Sequence, residues 1–339
     1  MDLNTRYLGL ALRNPIIASA SPLTGEVGTI RQLEDAGVGA VVLPSLFEEQ
    51  IRAEARLTET LIDVGADSSP EASSYFPASI AYNAGPSGYL DLIARARAAV
   101  DIPVIASLNG SSDAGWVDHA KLIEDAGASA LELNIYRIAT GAGVTGGEAE
   151  ADCVALVGAV RQRVKIPLAV KLHPHFSAFG AMARYLDQAG ADGLVLFNRL
   201  YQPDIDLVRL GWRNDLALSS AHETRLGLLW LSELSGRLSH ASLAASTGVE
   251  SADEVVKYLL AGADVVMTTS ALLRHGPAHV RTLVDDLTTW LAARDFASVK
   301  AIRGLMRRPD VGAEARERDD YIQTLMNFRP AKAPRMTTI

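Results

Sequence analysis

Apolar and polar positions along this chain alternate between two registers. Short, unbroken apolar runs rich in Val, Ile, Leu and Ala recur between longer stretches where apolar residues return every three or four positions. The first pattern belongs to a strand buried on both faces, the second to a helix with one buried stripe. One motif repeats the sequence of events: E-D-A-G-V-G-A-V-V (34–42), E-D-A-G-A-S-A-L-E-L (124–133), D-Q-A-G-A-D-G-L-V-L (187–196) and L-A-G-A-D-V-V-M (260–267). Each reads as a helix end, a glycine suited to the left-handed position just past it, and a short buried strand. D-I-P-V-I-A-S-L (101–108) and K-I-P-L-A-V-K-L (165–172) announce two more strands, the proline presetting an extended start. With I-I-A-S-A (16–20) and A-S-L-A-A (241–245) the count reaches eight. Helices are predicted over 26–36, 89–100, 113–126, 149–164, 178–189, 223–237, 251–261 and 277–294.

Eight alternating units of buried strand and amphipathic helix make a parallel sheet covered by helices, either closed into a barrel or open and doubly wound. The stretch 241–277 weighs toward the barrel. Ser246-Thr247-Gly248 breaks one strand, and Ser251 with Glu254 forms a capping box that opens the next helix. Thr268-Thr269-Ser270 then ends the following strand. Two neighbouring strands thus end in small, hydroxyl-rich turns whose N–H groups suit an anion, and a phosphate between the loops after the last two strands recurs in (β/α)8 barrels. The plainer alternative is that these hydroxyls only cap helices. The fold expected is a single (β/α)8 barrel over 1–305 with a C-terminal helical extension and tail over 306–339. Insertions at 46–88 and 135–148 fall on the C-terminal face of the strands, where long loops form lids and substrate walls.

Composition narrows the function. The 339 residues suit one large domain, and no Pro/Ser-rich linker divides them. A net charge of −8 argues against a general nucleic-acid binder, and one cysteine excludes an internal disulfide framework. The N-terminus lacks a signal-peptide pattern and no apolar run reaches membrane-spanning length, so a soluble cytoplasmic protein is expected.

Polar residues at the C-terminal strand ends are the candidates for chemistry: Ser19, Ser21, Ser45, Ser107, Asn109, Asn134, Lys171, Asn198, Thr247, Thr269 and Ser270. Lys171 stands out because an ammonium among apolar residues is costly unless it meets an anion or a strong acceptor. Asn134 and Asn198 offer donor and acceptor together, which suits the edge of a planar heterocycle. His173 and His175 flank a proline without an accompanying carboxylate, so no metal site is expected, and Cys153 reads as packing.

These residues resemble the dihydroorotate dehydrogenases, flavin mononucleotide (FMN) enzymes built on this barrel. The landmarks are N-P-I-I-A-S (14–19), Y-N-A-G-P (82–86), L-E-L-N (131–134), L-A-V-K-L-H-P (168–174), L-F-N (196–198), A-S-T-G-V-E-S (245–251) and T-T-S-A-L-L-R-H-G-P (268–277). The resemblance implies FMN bound by Ser19, Ser21, Ser45, Asn134, Lys171, Asn198, Ser220, Thr247, Gly248, Thr269 and Ser270. Within that set, Thr247, Gly248, Thr269 and Ser270 would hold the phosphate, and Lys171 would face the flavin's pyrimidine end. Asn83, Asn134 and Asn198 would reach the substrate. A homodimer is expected too, since the family often forms dimers.

The departures from the family pattern are as informative. Pro44 of V-L-P-S replaces a lysine that contacts flavin and substrate, and Thr247-Gly248 replaces a double glycine. In N-I-Y-R (134–137), Arg137 stands where the family carries the cysteine or serine that removes the substrate proton. A guanidinium is always protonated at neutral pH and cannot serve as that base. The expectation is an FMN-dependent oxidoreductase acting on a CH–CH bond of a small anionic substrate, dihydroorotate or a related dihydropyrimidine or enoate, with a soluble electron acceptor. Lys171, Tyr136 and Arg137 are its catalytic candidates, Tyr136 as proton donor and Arg137 as carboxylate clamp. Two alternatives stand beside it. One is a non-redox aldolase or synthase using Lys171 as a Schiff base, and the other is a flavin-binding subunit without catalysis.

Overall fold

The computed structural model describes residues 1–52, 85–110, 116–136, 139–141, 143–213, 215–309 and 313–327. The chain divides into two units, Met1–Arg307 and Arg308–Ile339. The second contains the helix Ala313–Met326 and an Arg308–Asp320 ion pair of 2.9 Å.

In the first unit the strands are β1 (Thr5–Tyr7), β2 (Leu10–Leu12), β3 (Ile16–Ala18), β4 (Ala40–Phe47), β5 (Val104–Asn109) and β6 (Ala130–Asn134). They continue as β7 (Leu168–Leu172), β8 (Gly193–Leu196), β9 (Asp204–Asp206), β10 (Gly211–Arg213), β11 (Ser242–Ala245) and β12 (Val265–Thr268). The eight strands β3 to β8, β11 and β12 form a closed parallel barrel. Closure falls between β12 and β3, where Val266, Met267 and Thr268 pair with Ile16, Ile17 and Ala18. That pairing removes the open-sheet alternative: the structure is a (β/α)8 barrel. Its strands coincide with the eight apolar runs. The helices Val27–Asp35, Gly85–Ala99, Trp116–Asp125, Gly146–Arg163, Phe179–Gln188, Thr224–Leu234, Ala252–Ala261 and His279–Ala292 fall on the expected segments.

The repeated motif does more than end helices. Its glycines at 37, 127, 190 and 262 all have positive φ, as the left-handed position requires. Its acids tie each unit to the next. Glu34 accepts from the N–H groups of Asp101 and Ile102 (2.8 and 3.1 Å), and Glu124 from those of Lys165 and Ile166 (2.7 and 2.9 Å). Asp187 accepts three, from Ser239, His240 and Ala241 (2.7, 3.0 and 2.8 Å). A carboxylate at the end of one helix thereby satisfies the orphan donors of the loop entering a neighbouring strand.

The barrel interior is layered. Its lower end is closed by the β1–β2 hairpin, whose two-residue turn Leu8-Gly9 has φ of +54° and +74°, as a type I′ turn demands. Tyr7, Leu8 and Leu12 pack up against Ile17, Ala40, Val42, Ile105, Ala130, Ala169, Val195, Ala244, Val265 and Met267. Gly193 makes room for the plug, because a Cβ there would lie 2.5 Å from Leu8 Cδ2. Above this apolar layer the inward side chains turn polar. Pro44 sits in an irregularity of β4 between Val42 and Ser45, which is where a strand proline is tolerated. Beyond it the Ser45 and Ser107 hydroxyls share a 2.7 Å hydrogen bond.

Candidate active site

Inward positions on β7 alternate, so Lys171 points into the barrel two residues above Ala169, while Leu168, Val170 and Leu172 pack outward against the helices. Lys171 is only 9% exposed. Its ammonium donates to Ser19 Oγ at 3.4 Å and lies 3.9 Å from Glu132 Oε1, two weak contacts for a buried charge. It opens into a cleft at the C-terminal end of the strands, lined by Ser19, Lys171, Asn198, Thr247, Gly248, Thr269 and Ser270 among others. Seven residues expected from the sequence to bind FMN thus line one space.

At one end of the cleft, Thr247 and Gly248 follow one another with φ of +78° and +76°. For a β-branched residue this conformation is uncommon, and it is held from two sides. Thr247 Oγ1 donates to the Phe197 carbonyl (2.9 Å), and the Tyr258 hydroxyl donates to the Thr247 carbonyl (2.8 Å). Gly248 is obligatory because a Cβ would approach Ser220 O and Thr224 Cγ2 at 2.8 Å each. Ser219 joins the two turns. Its Oγ accepts from Gly248 N at 3.2 Å and shares a 2.9 Å hydrogen bond with Ser270 Oγ, which also accepts from Ser219 N at 3.0 Å. Successive N–H groups in such a turn form a concavity for an anion.

Asn198, in the same lining, donates through Nδ2 to Asn134 Oδ1 at 2.7 Å, bridging the ends of β8 and β6. Arg199, next in sequence, bonds Glu223 at 2.7 Å and the Ala217 carbonyl, which ties the loop 216–219 over the cleft.

Other expected residues stand apart. Ser45 faces Ser107 and is not part of the cleft lining. Ser21 is buried in the turn before the first helix, its N–H donating to Thr24 Oγ1 at 3.2 Å. Ser220 is exposed and its N–H goes to Glu223 (2.9 Å). Its neighbour Ser219 supplies the side chain that meets the turns. The Tyr136 hydroxyl accepts from Tyr201 N at 2.7 Å. Arg137 and Asn83 lie outside the described residues. His173 stacks on Phe176 with centroids 4.4 Å apart and accepts from His175 N at 3.1 Å through Nδ1. Burial and the neighbouring His175 hold its pKa below the ordinary imidazole value. The Cys153 thiol is pushed up to about 12 by burial and the nearby Glu150, so it packs rather than reacts. Sequence reasoning missed Ser219 and Arg199, although each adjoins a residue it had selected.

A closed barrel with a polar cleft at the C-terminal end of its strands, floored by a buried lysine, has the layout of a (β/α)8 enzyme. Comparison with known proteins narrows that class. The sequence model of the dihydroorotate dehydrogenase family matches residues 2–291, and the chain belongs to that family of oxidoreductases. A protein of Aeropyrum pernix, provisionally named dihydroorotate dehydrogenase A (fumarate), is 28% identical over 91% of this chain and 98% of its own. The dihydroorotate dehydrogenase B (NAD(+)) catalytic subunit of Bacillus pumilus is 29% identical over 89% of this chain and 96% of its own. The equivalent subunit of Anoxybacillus flavithermus is 34% identical over 50% of this chain and 56% of its own. Among the described residues no helix is long and apolar enough to cross a membrane.

Proposed function

We propose that this chain is an FMN-dependent oxidoreductase acting on a CH–CH bond of a small anionic substrate, and that dihydroorotate itself is turned over poorly. The observation that carries the reading is the cleft in which Lys171, underused by its neighbours, sits between the Thr247-Gly248 and Ser270 turns and the Asn134–Asn198 pair. Those residues fit FMN: a nest and hydroxyls for a phosphate, a cation for an electron-rich ring edge, and amides for ring hydrogen bonds. Bound there, FMN would supply the hydride chemistry. The protein's part is to orient and to move the proton. The Tyr136 oxygen is anchored by Tyr201 N, an arrangement that suits its O–H to donate to a reduced substrate carbon. Arg137 serves as a bidentate carboxylate clamp rather than a base. Membership of an oxidoreductase family weighs against the Schiff-base reading of Lys171. A homodimer in the cytoplasm completes the proposal.

Two relatives carry names with different acceptors, fumarate and NAD(+), so the acceptor of this chain is set by experiment. The test is anaerobic mixing of the FMN-loaded protein with candidate substrates while the flavin absorbance is followed. Bleaching by a CH–CH donor other than dihydroorotate is expected. Dihydroorotate turnover at about the median enzyme rate of 10 per second would refute the assignment of Arg137. A bound flavin that no CH–CH donor bleaches, and that no enoate reoxidises, would make the chain a flavin-binding subunit.

A further inference from the structure

The least expected group in the barrel is Glu132, which the mechanism above does not use. It projects inward from β6, in register with Ala169 and so one layer below Lys171. It is 1% exposed, and among the described residues neither carboxyl oxygen has a hydrogen-bond partner. Its one cationic neighbour is Lys171, with Nζ 3.9 Å from Oε1, too far for the short charge-assisted bond that would stabilise a buried carboxylate. From below comes Tyr7 of the hairpin plug, 1% exposed, whose hydroxyl is likewise unpartnered. From β5 the register neighbour is Ser107, already bonded to Ser45. Asp264, before β12, adds a further negative influence on Tyr7.

An ionised carboxylate in this setting would be unsolvated and unbonded, and would also cancel the Lys171 charge that the cleft presents. Burying a charge without partners is far costlier than protonating it. We propose that Glu132 is held as the neutral carboxylic acid and acts as a positioning residue for Lys171, leaving the whole ammonium charge for the anionic group bound in the cleft. Burial, opposed by Lys171, raises the Glu132 pKa, and burial with the nearby Asp264 raises that of Tyr7, both in the direction of the neutral form. This assignment rests on the proposed FMN site only for its purpose; the protonation state stands without it.

The linkage to stability follows from the direction of the shift. Unfolded, Glu132 titrates near the ordinary value of about 4.3. Below that pH it is neutral in both states and carries its full favourable contribution. As pH rises the unfolded chain ionises first, so folding stability is lost progressively until the raised folded pKa is passed.

The experiment compares wild type with Glu132→Gln, a neutral isostere, and with Glu132→Met as a second neutral variant of similar length should the amide fold poorly. The infrared difference spectrum of the flavin-free proteins at neutral pH should contain the carbonyl stretch of a protonated carboxyl, present in wild type and absent in the variants. Wild type should lose melting temperature relative to Glu132→Gln as the pH rises from about 4.3 toward the pH at which that band gives way to carboxylate, and should lose FMN affinity where the band does so. At neutral pH the two should bind FMN within about twofold of each other. Absence of the protonated band at neutral pH would overturn the proposal. So would an FMN affinity about tenfold tighter in Glu132→Gln, the result expected if a carboxylate had been cancelling Lys171. The infrared and melting readouts need no flavin, so failure of the FMN reading alone leaves them standing.

Discussion

Lys171 shows how a single residue can carry both a cost and a proposed function. Its ammonium is nearly buried, and its two polar neighbours stand at 3.4 and 3.9 Å. A group so poorly compensated destabilises the empty protein and is poised for an anionic or electron-rich partner. Lys171→Met keeps the length and removes the charge. The flavin-free variant should melt above wild type, while FMN affinity should fall roughly 10- to 100-fold, the equivalent of a charge-assisted hydrogen bond of about 1.5–3 kcal/mol. Thermal melts and fluorescence titration read the two effects, and a fall in both would place Lys171 in the scaffold instead. Lys171 was legible in the sequence because a charge inside an apolar run is conspicuous. Ser219 was not, because nothing in S-S-A-H-E-T distinguishes the hydroxyl that joins two turns from the one beside it that faces solvent. Glu132 was quoted only inside longer strings and never singled out, since a lone acid in a strand does not declare which layer it occupies.

At the scale of elements, the repeated acid-x-Ala-Gly motif announced helix ends and strands, and the barrel has both where expected. What it did not announce was the work of the acid, which depends on a loop far away in sequence. Asp187 is 5% exposed and accepts three backbone N–H bonds from a segment more than fifty residues on. Asp187→Ala strands those donors beside β11 and should cost about 3 kcal/mol in chemical denaturation. A loss under about 0.5 kcal/mol, the range of ordinary surface substitutions, would show that the donors find other acceptors. Glu124 plays the same part nearer the surface. Burial raises its pKa, but Lys121 and the Lys165 and Ile166 N–H groups outweigh that and hold it below the usual carboxylate range. Its contribution is therefore present above the unfolded pKa and lost as pH falls through the folded one. The two short hairpins were invisible to periodicity: three residues a side give too few alternations, and Leu8-Gly9 is not among the usual signals for its turn.

The whole molecule divides its labour along the barrel axis. The lower end is sealed by the hairpin plug, admitted by alanines at 40, 130, 169 and 244 and by Gly193. The middle layer holds Glu132 and the Ser45–Ser107 pair, and the upper end opens into the cleft. Sealing one end confines ligand exchange to the other, where the Thr247-Gly248 turn also lies. The barrel and the lower wall of the cleft could be read from apolar runs and strand-end residues. The proposed substrate side has no such counterpart, because Asn83 and Arg137 lie outside the described residues. Whether this cleft binds FMN by its phosphate as well as by its ring, as proposed, is decided by paired titrations of the flavin-free protein with FMN and with riboflavin, which lacks only the phosphate. One FMN per chain is expected, with riboflavin bound more weakly by about 100-fold, the loss of one to two charge-assisted hydrogen bonds. Equal affinity for the two flavins, or no binding of either, would contradict it.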